Sequence, residues 1–167
     1  MNRGQDHADT SPELGVWPAT NRRFRRSEVS AVIGSGDEAW RRATDGVLRW
    51  EVKTRSGFTV DDDARVEAGR RLRITAAVAG ITVVEPVEVV GVVERPDRVG
   101  FAYRTLPGHP VDGEEAFVVH RTGAVVRLTV RSLTRPAEQQ PWRTLYPLLR
   151  IAQLVARRRY LRALRRP

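Results

Sequence analysis

The sequence predicts an α+β fold in which a curved antiparallel sheet wraps a long C-terminal helix, and changes of hydrophobic period carry that prediction. Apolar residues recur at helical spacing over 37–50, alternate with a period of two between Thr59 and Leu133, and return to helical spacing beyond Pro141. The chain of 167 residues is long enough for one continuous core. That core is expected over 17–167, with 1–16 a mobile tail because the opening residues are polar and lack periodicity.

The first strand is RRFRRSEVSAVIG, broken by Gly34 and Gly36. Asp37 is the expected cap of a helix whose apolar positions are Ala39, Trp40, Ala43, Val47, Leu48 and Trp50. Gly46 costs on the order of 1 kcal/mol relative to alanine, so a broken helix or two short ones are the alternatives there. RLRITAAV then alternates Leu72, Ile74, Ala76 and Val78 with polar or small residues, and TVVEPVEVVGVVE is β-branched. Pro86 has no N–H to donate and must sit at an edge, a bend or a bulge. ERPDR has the chemistry of a tight hairpin turn with VGFAYRTL as its return strand. EEAFVVHR and AVVRLTVRSL form a second pair around Thr122-Gly123. The terminal helix places Leu145, Leu148, Leu149, Ala152, Val155, Ala156, Tyr160 and Ala163 on one broad face, with Arg150, Arg157, Arg158 and Arg165 mainly opposite. Burial of that face is expected to make the helix integral to the core.

The net charge of +9 is unevenly spread: residues 143–167 hold eight basic side chains and no acidic one, whereas 27–142 hold sixteen and seventeen. The body is nearly neutral, so no nucleic-acid partner is expected, and peripheral contact with a membrane falls to the basic helix. Lys53 is the one lysine among 29 cations, which reads as a coding bias toward arginine. With no cysteine, disulfides, thiolate zinc sites and thiol nucleophiles are excluded. The N-terminal residues show no apolar signal segment and no run is long enough to span a bilayer, so a cytoplasmic location is expected.

The stretch AYRTLPGHPVDGEEAFVV, residues 102–119, concentrates the chemistry. Pro107-Gly108 suits the centre of a type II turn and Asp112-Gly113 supplies a second turn signal. Together they predict a two-cornered connection between strands ending at Leu106 and starting at Glu115, with His109 in a solvent-accessible turn. The functional alternative makes His109, Tyr103, Glu114 and Glu115 candidate catalytic residues, because a histidine near a carboxylate can act as general base. Consecutive Glu114 and Glu115 should point to opposite faces of a strand. A metal site would want three protein ligands, and the other histidines, His7 in the tail and His120 in a strand, do not supply them; no metal and no cofactor are expected. Trp40 and Trp50 read as core or rim residues, or else as pocket walls. Ser132 and Thr129 lie in no nucleophile elbow, and Gly34-Ser35-Gly36 lacks the lysine of a phosphate loop.

The order strand, helix, meander, long helix resembles the START-like helix-grip superfamily, in which the space between sheet and helix is commonly an apolar ligand cavity. More closely, IGSGDEAWRRATDGVLRW, GFAYRTLPGHPVDGEEAFVV and RRRYLRAL resemble a bacterial domain-of-unknown-function family with the signature GFAYGTLPGHP followed by GEEAF, over about Trp17 to Leu164. That resemblance implies the fold and no activity. This chain departs from the signature at Arg104, where the family has glycine. A long cation there needs a partner, and Glu88 is the candidate because the Pro96-Asp97 hairpin brings 88 and 104 level. The two are expected to pair toward a cavity mouth.

Binding of a small apolar or amphipathic molecule is therefore the leading expectation, with Trp40, Trp50, Glu88, Tyr103 and Arg104 as candidate ligand-binding residues. The alternatives are a cyclase, isomerase or hydrolase using His109, Tyr103 and a glutamate, and a peripheral adaptor contacting anionic lipid or RNA through the basic helix.

Overall fold

The period-two segments form seven strands: β1 (Arg25–Ser35), β2 (Phe58–Val60), β3 (Arg71–Val78), β4 (Ile81–Arg95), β5 (Arg98–Thr105), β6 (Val111–Thr122) and β7 (Val125–Pro136). They make one curved antiparallel sheet in the order β1-β7-β6-β5-β4-β3-β2. The computed structural model describes residues 9–18, 22–62, 64–78 and 80–165. Two-residue turns close the β4–β5 and β6–β7 hairpins, so Arg95 pairs with Arg98 and Thr122 with Val125. Pro86 lies one residue beyond Val87, whose partner Thr105 is the last residue of β5. Its carbonyl accepts from Leu106 N–H at 2.9 Å. A strand residue's N–H and C=O face the same neighbour, so the missing donor falls where β5 has already ended.

Helix α1 (Gly36–Leu48) and the short α2 (Glu51–Thr54) pack on the concave face. Its core rungs are Phe101 with Phe117 and Val130, and Val99 with Val119 and Leu128. The break between the helices falls at Trp50, which adopts the left-handed region at φ 63° and buries its ring edge-on to Phe101 at 4.7 Å. Gly46 is there for space: a Cβ would lie 2.8 Å from Glu51 Oε2 and 3.2 Å from Leu164 Cδ2. The expected cap is corrected. Ser35 occupies the N-cap position without a side-chain bond, while Asp37 sits in the first turn and accepts from Arg121 at 2.9 Å.

The terminal helix α3 (Trp142–Ala163) holds its place chiefly through its second half. Tyr160, Ala163 and the following Leu164 are buried, but Leu148, Ile151 and Leu154 are 63%, 60% and 54% exposed. Leu145 and Val155, expected on a buried face, are also exposed. The first half walls a cavity through Leu149, Ala152 and Gln153 instead of meeting packed side chains, so its apolar positions divide between an inner and an outer face.

The expectation of a mobile tail does not describe residues 9–16; residues 1–8, with His7, lie outside the described residues. Thr10 and Ser11 are buried on the convex face. There Arg131, 2% exposed, donates to the carbonyls of Thr10, Ser11 and Gly15 at 3.3, 2.6 and 3.2 Å, and to Glu28 at 2.6 Å. A buried guanidinium without such acceptors would be costly, and the N-terminal segment supplies them.

Candidate functional site

Strand alternation decides which residues of β5, β6 and β7 face the helices. Tyr103, Glu115 and Ser132 form one level across the three strands, and Gly113 with Thr134 the next. Above these levels, and beneath α3, lies a cavity of about 440 Å³. Phe58, Ala76, Val83, Leu149 and Ala156 give it apolar walls.

Its polar end is built on Lys53, carried by α2 and buried. The ammonium lies 3.0 Å from Glu115 Oε2 and donates to Tyr160 Oη at 2.7 Å, with the rings of Phe58, Tyr103, Phe117 and Tyr160 within 4.6–5.5 Å. Tyr103 Oη donates to the same Glu115 oxygen at 2.5 Å. Burial pulls the Lys53 pKa down, but the charge of Glu115, joined by Tyr103, Tyr160 and Glu85, more than offsets it and holds the ammonium well above the ordinary lysine range. Burial pushes both tyrosine hydroxyls up, so both stay protonated, Tyr103 donating to Glu115 and Tyr160 accepting from Lys53. Glu85, also lining the cavity, is raised mainly by burial, with Lys53 opposing and Glu115 adding to the shift.

His109 completes this end. Pro107-Gly108 forms the expected type II turn, with Gly108 at φ 99° and His109 N–H donating to Leu106 O at 3.1 Å. The ring, however, turns inward and is 7% exposed, which corrects the solvent-accessible placement. The reason is that Asp112-Gly113 is no turn: β6 starts at Val111, Asp112 accepts from Arg135 at 2.5 Å, and Gly113 pairs with Thr134. The loop is therefore short and its histidine is drawn in. Val111 N–H donates to Nδ1 at 3.1 Å, which assigns the proton of the neutral ring to Nε2, 3.9 Å from Glu85 Oε2. Burial, then the Lys53 charge, push the His109 pKa from 6.5 to about 3.

This sets a stability dependence on pH. The unfolded chain takes up a proton at His109 near 6.5 that the folded chain refuses until about 3. The contribution is full above 6.5 and declines as pH falls through that window, by about 1.4 kcal/mol per pH unit. His109→Asn keeps an acceptor for Val111 N–H but does not titrate. In urea unfolding, the native chain should lose about 2–3 kcal/mol more than this variant between pH 6.5 and pH 4.5. Equal losses would show that His109 protonates normally in the fold.

The other candidates separate. Glu114 faces the convex side, where it accepts from Thr10 N–H and Oγ1–H at 2.8 and 2.5 Å, while Glu115 faces the cavity, so the pair does point to opposite sides. Glu88 and Arg104 are directly opposite and bonded at 3.1 Å, yet on the outer face, with Arg71 also on Glu88; the inward placement is corrected. The alternation that turns Tyr103 inward turns Arg104 outward. Trp50 is core, and Trp40 is half-buried under the Arg121 guanidinium at 4.8 Å; neither lines the cavity. Of the five candidate ligand-binding residues, Tyr103 alone does. His120 bonds Thr129 Oγ1 at 2.9 Å, away from the cavity. Among the described residues no group of three His, Cys, Asp or Glu is arranged to hold a metal ion.

Comparison with known proteins places this architecture. The model of a family described as a domain of unknown function, DUF1990, matches residues 9–163. A UPF0548 protein of Deinococcus radiodurans is 42% identical over 78 residues, a stretch that spans 46% of this chain and 38% of that protein. Among solved structures, the hypothetical protein jhp0584 of Helicobacter pylori superposes with a TM-score of 0.59 at 13% identity, covering 84% of each chain. Ara h 8.0201 superposes with a TM-score of 0.51 at 8% identity, covering 82% of this chain and 95% of that one. At such identities the likenesses concern the fold, which is helix-grip α+β.

Proposed function

Since the chain belongs to the DUF1990 family, a domain of unknown function, its role must be read from its own cavity, and we propose that it binds a small amphipathic molecule between the sheet and α3. The observation that supports this is the cavity itself. Its volume of about 440 Å³ lies in the range of small-molecule sites, with apolar walls and a few convergent polar groups at one end. The buried Lys53, Tyr103 and Tyr160 and the half-buried Glu115 satisfy one another, so that end is fixed before any ligand arrives.

Native mass spectrometry of the protein purified from its own host tests the reading, followed by displacement of the co-purified molecule with the fluorescent probe anilinonaphthalene sulfonate. Ala156→Trp, which fills the cavity from α3, should abolish both signals. Absence of any bound molecule together with probe binding unchanged by Ala156→Trp would overturn it.

Catalysis on the bound molecule is the second reading, favoured by the approach of His109 Nε2 to Glu85. With its pKa near 3, His109 is a weak base at neutral pH and serves better as a hydrogen-bond donor, leaving Glu85 as the better-matched acid or base. Conversion of the co-purified molecule into a product of different mass distinguishes this reading from simple binding. Peripheral contact of α3 with anionic lipid is compatible with either: Leu148, Ile151 and Leu154 are exposed on a helix whose charged residues are all arginines.

A further inference from the structure

We infer that the molecule bound in this cavity carries an anionic head group, a carboxylate or its equivalent, held by Arg157, Ser132 and Thr134. The inference rests on the binding reading above and adds the chemistry of the ligand's polar end.

Three observations converge on one edge of the cavity. First, the hydroxyl of Thr134 is buried and lines the cavity, yet among the described residues it is the buried side-chain polar atom with no hydrogen-bond partner. Native folds seldom leave such a group unpaired, and its residue lines a cavity from which a ligand atom can supply the partner. Second, the residue opposite Thr134 across the ladder is Gly113, so no side chain from β6 covers it. Third, Ser132 stands two residues along the same face of β7 and accepts from Arg157 Nη2 at 2.8 Å.

The local charge at this edge then favours an anion. Lys53 is neutralised by Glu115 and Glu85 lies beside His109, whereas Arg157 is half-buried in the cavity wall and no carboxylate among the described residues pairs with it. Nor does α3 carry an acidic side chain along its length. A guanidinium so placed presents further N–H donors beyond the one given to Ser132, and a carboxylate can accept from it and from the Thr134 hydroxyl together. The apolar walls would receive the rest of the molecule.

Isothermal titration calorimetry at pH 7 with octanoate and octanol, matched in chain length, tests the head group. Octanoate should bind about tenfold or more tightly than octanol, the weight of a charge-assisted hydrogen bond. Arg157→Gln should erase most of that preference, and the isosteric Thr134→Val should narrow it. Arg150→Gln, on an exposed position outside the cavity, should leave it intact, and Ala156→Trp should remove binding of both probes. Equal affinity for the two, or a preference that survives Arg157→Gln, would overturn the inference while leaving cavity binding standing. A preference that survives Ala156→Trp would place the anion on the basic surface and overturn it equally. Failure of both probes in the native protein would count against the cavity reading as well.

Discussion

Lys53→Met should destabilise the fold by about 3–5 kcal/mol, the loss expected when one partner of a buried ion pair is removed. Methionine retains most of the stem's volume, so the loss is electrostatic rather than a packing defect. Without the ammonium, the Glu115 carboxylate keeps only the Tyr103 hydroxyl as a polar partner within the cluster, and Tyr160 Oη, fully buried, loses the donor it accepts from. The ring faces that surround Lys53 at 4.6–5.5 Å also lose a cation they stabilise. Glu115→Gln in the same chain removes the stranded charge. The double variant should therefore recover much of the loss, giving a coupling energy of about 1–3 kcal/mol in a double-mutant cycle followed by urea unfolding. Additive losses, or a single-variant cost under about 1 kcal/mol, would mean that water already solvates Glu115 and that the pair does not anchor the cavity.

That anchor shows where sequence reading stops. The meander was legible because its turn residues stand between β-branched runs, and the same periodicity places Glu88 and Arg104 level across the hairpin. Which face they share was not legible, since a one-residue slip reverses every side chain and only the packed core decides it. The solvent exposure expected of His109 failed for a related reason: Asp112-Gly113 has turn chemistry, and its role as a strand start depends on Arg135 and Thr134, more than twenty residues away. Lys53 stands out as the one lysine in an arginine-rich chain, but composition alone reads as coding bias, and nothing in the local sequence places its compact ammonium beside Glu115. Glu85 gave none, because β3 and the loop that carries His109 meet it only after folding. The helical period of α3 predicted an apolar face but could not say whether packed side chains or an empty volume would meet it.

Gly113→Ala should be among the most damaging single changes in the chain, on the order of 4 kcal/mol or more, by adding one methyl group. The position has φ 153°, and a Cβ there would meet the Leu133 carbonyl oxygen at 1.8 Å and its carbon at 2.8 Å. Both contacts are with the backbone of the neighbouring strand, so no rotamer change relieves them. Relief requires β6 and β7 to part at this rung, which lies between the level of Glu115 with Ser132 and the start of β6. Parting would disturb the Gly113 N–H bond to Thr105 Oγ1 at 2.9 Å and the Asp112–Arg135 pair, which hold the loop that turns His109 inward. The glycine of GEEAF is thus a packing requirement for the cavity's edge rather than a turn former. Alanine at the solvent-exposed Gly69 or Gly80, where a Cβ meets nothing within 4 Å, separates conformational strain from close contact, since φ there is 83° and 79°. Those variants should cost about 1–2 kcal/mol from strain alone. Thermal and urea unfolding of the three side by side decides the matter: a Gly113→Ala variant no less stable than the other two would show that the strands accommodate the methyl and that this rung is not rigid.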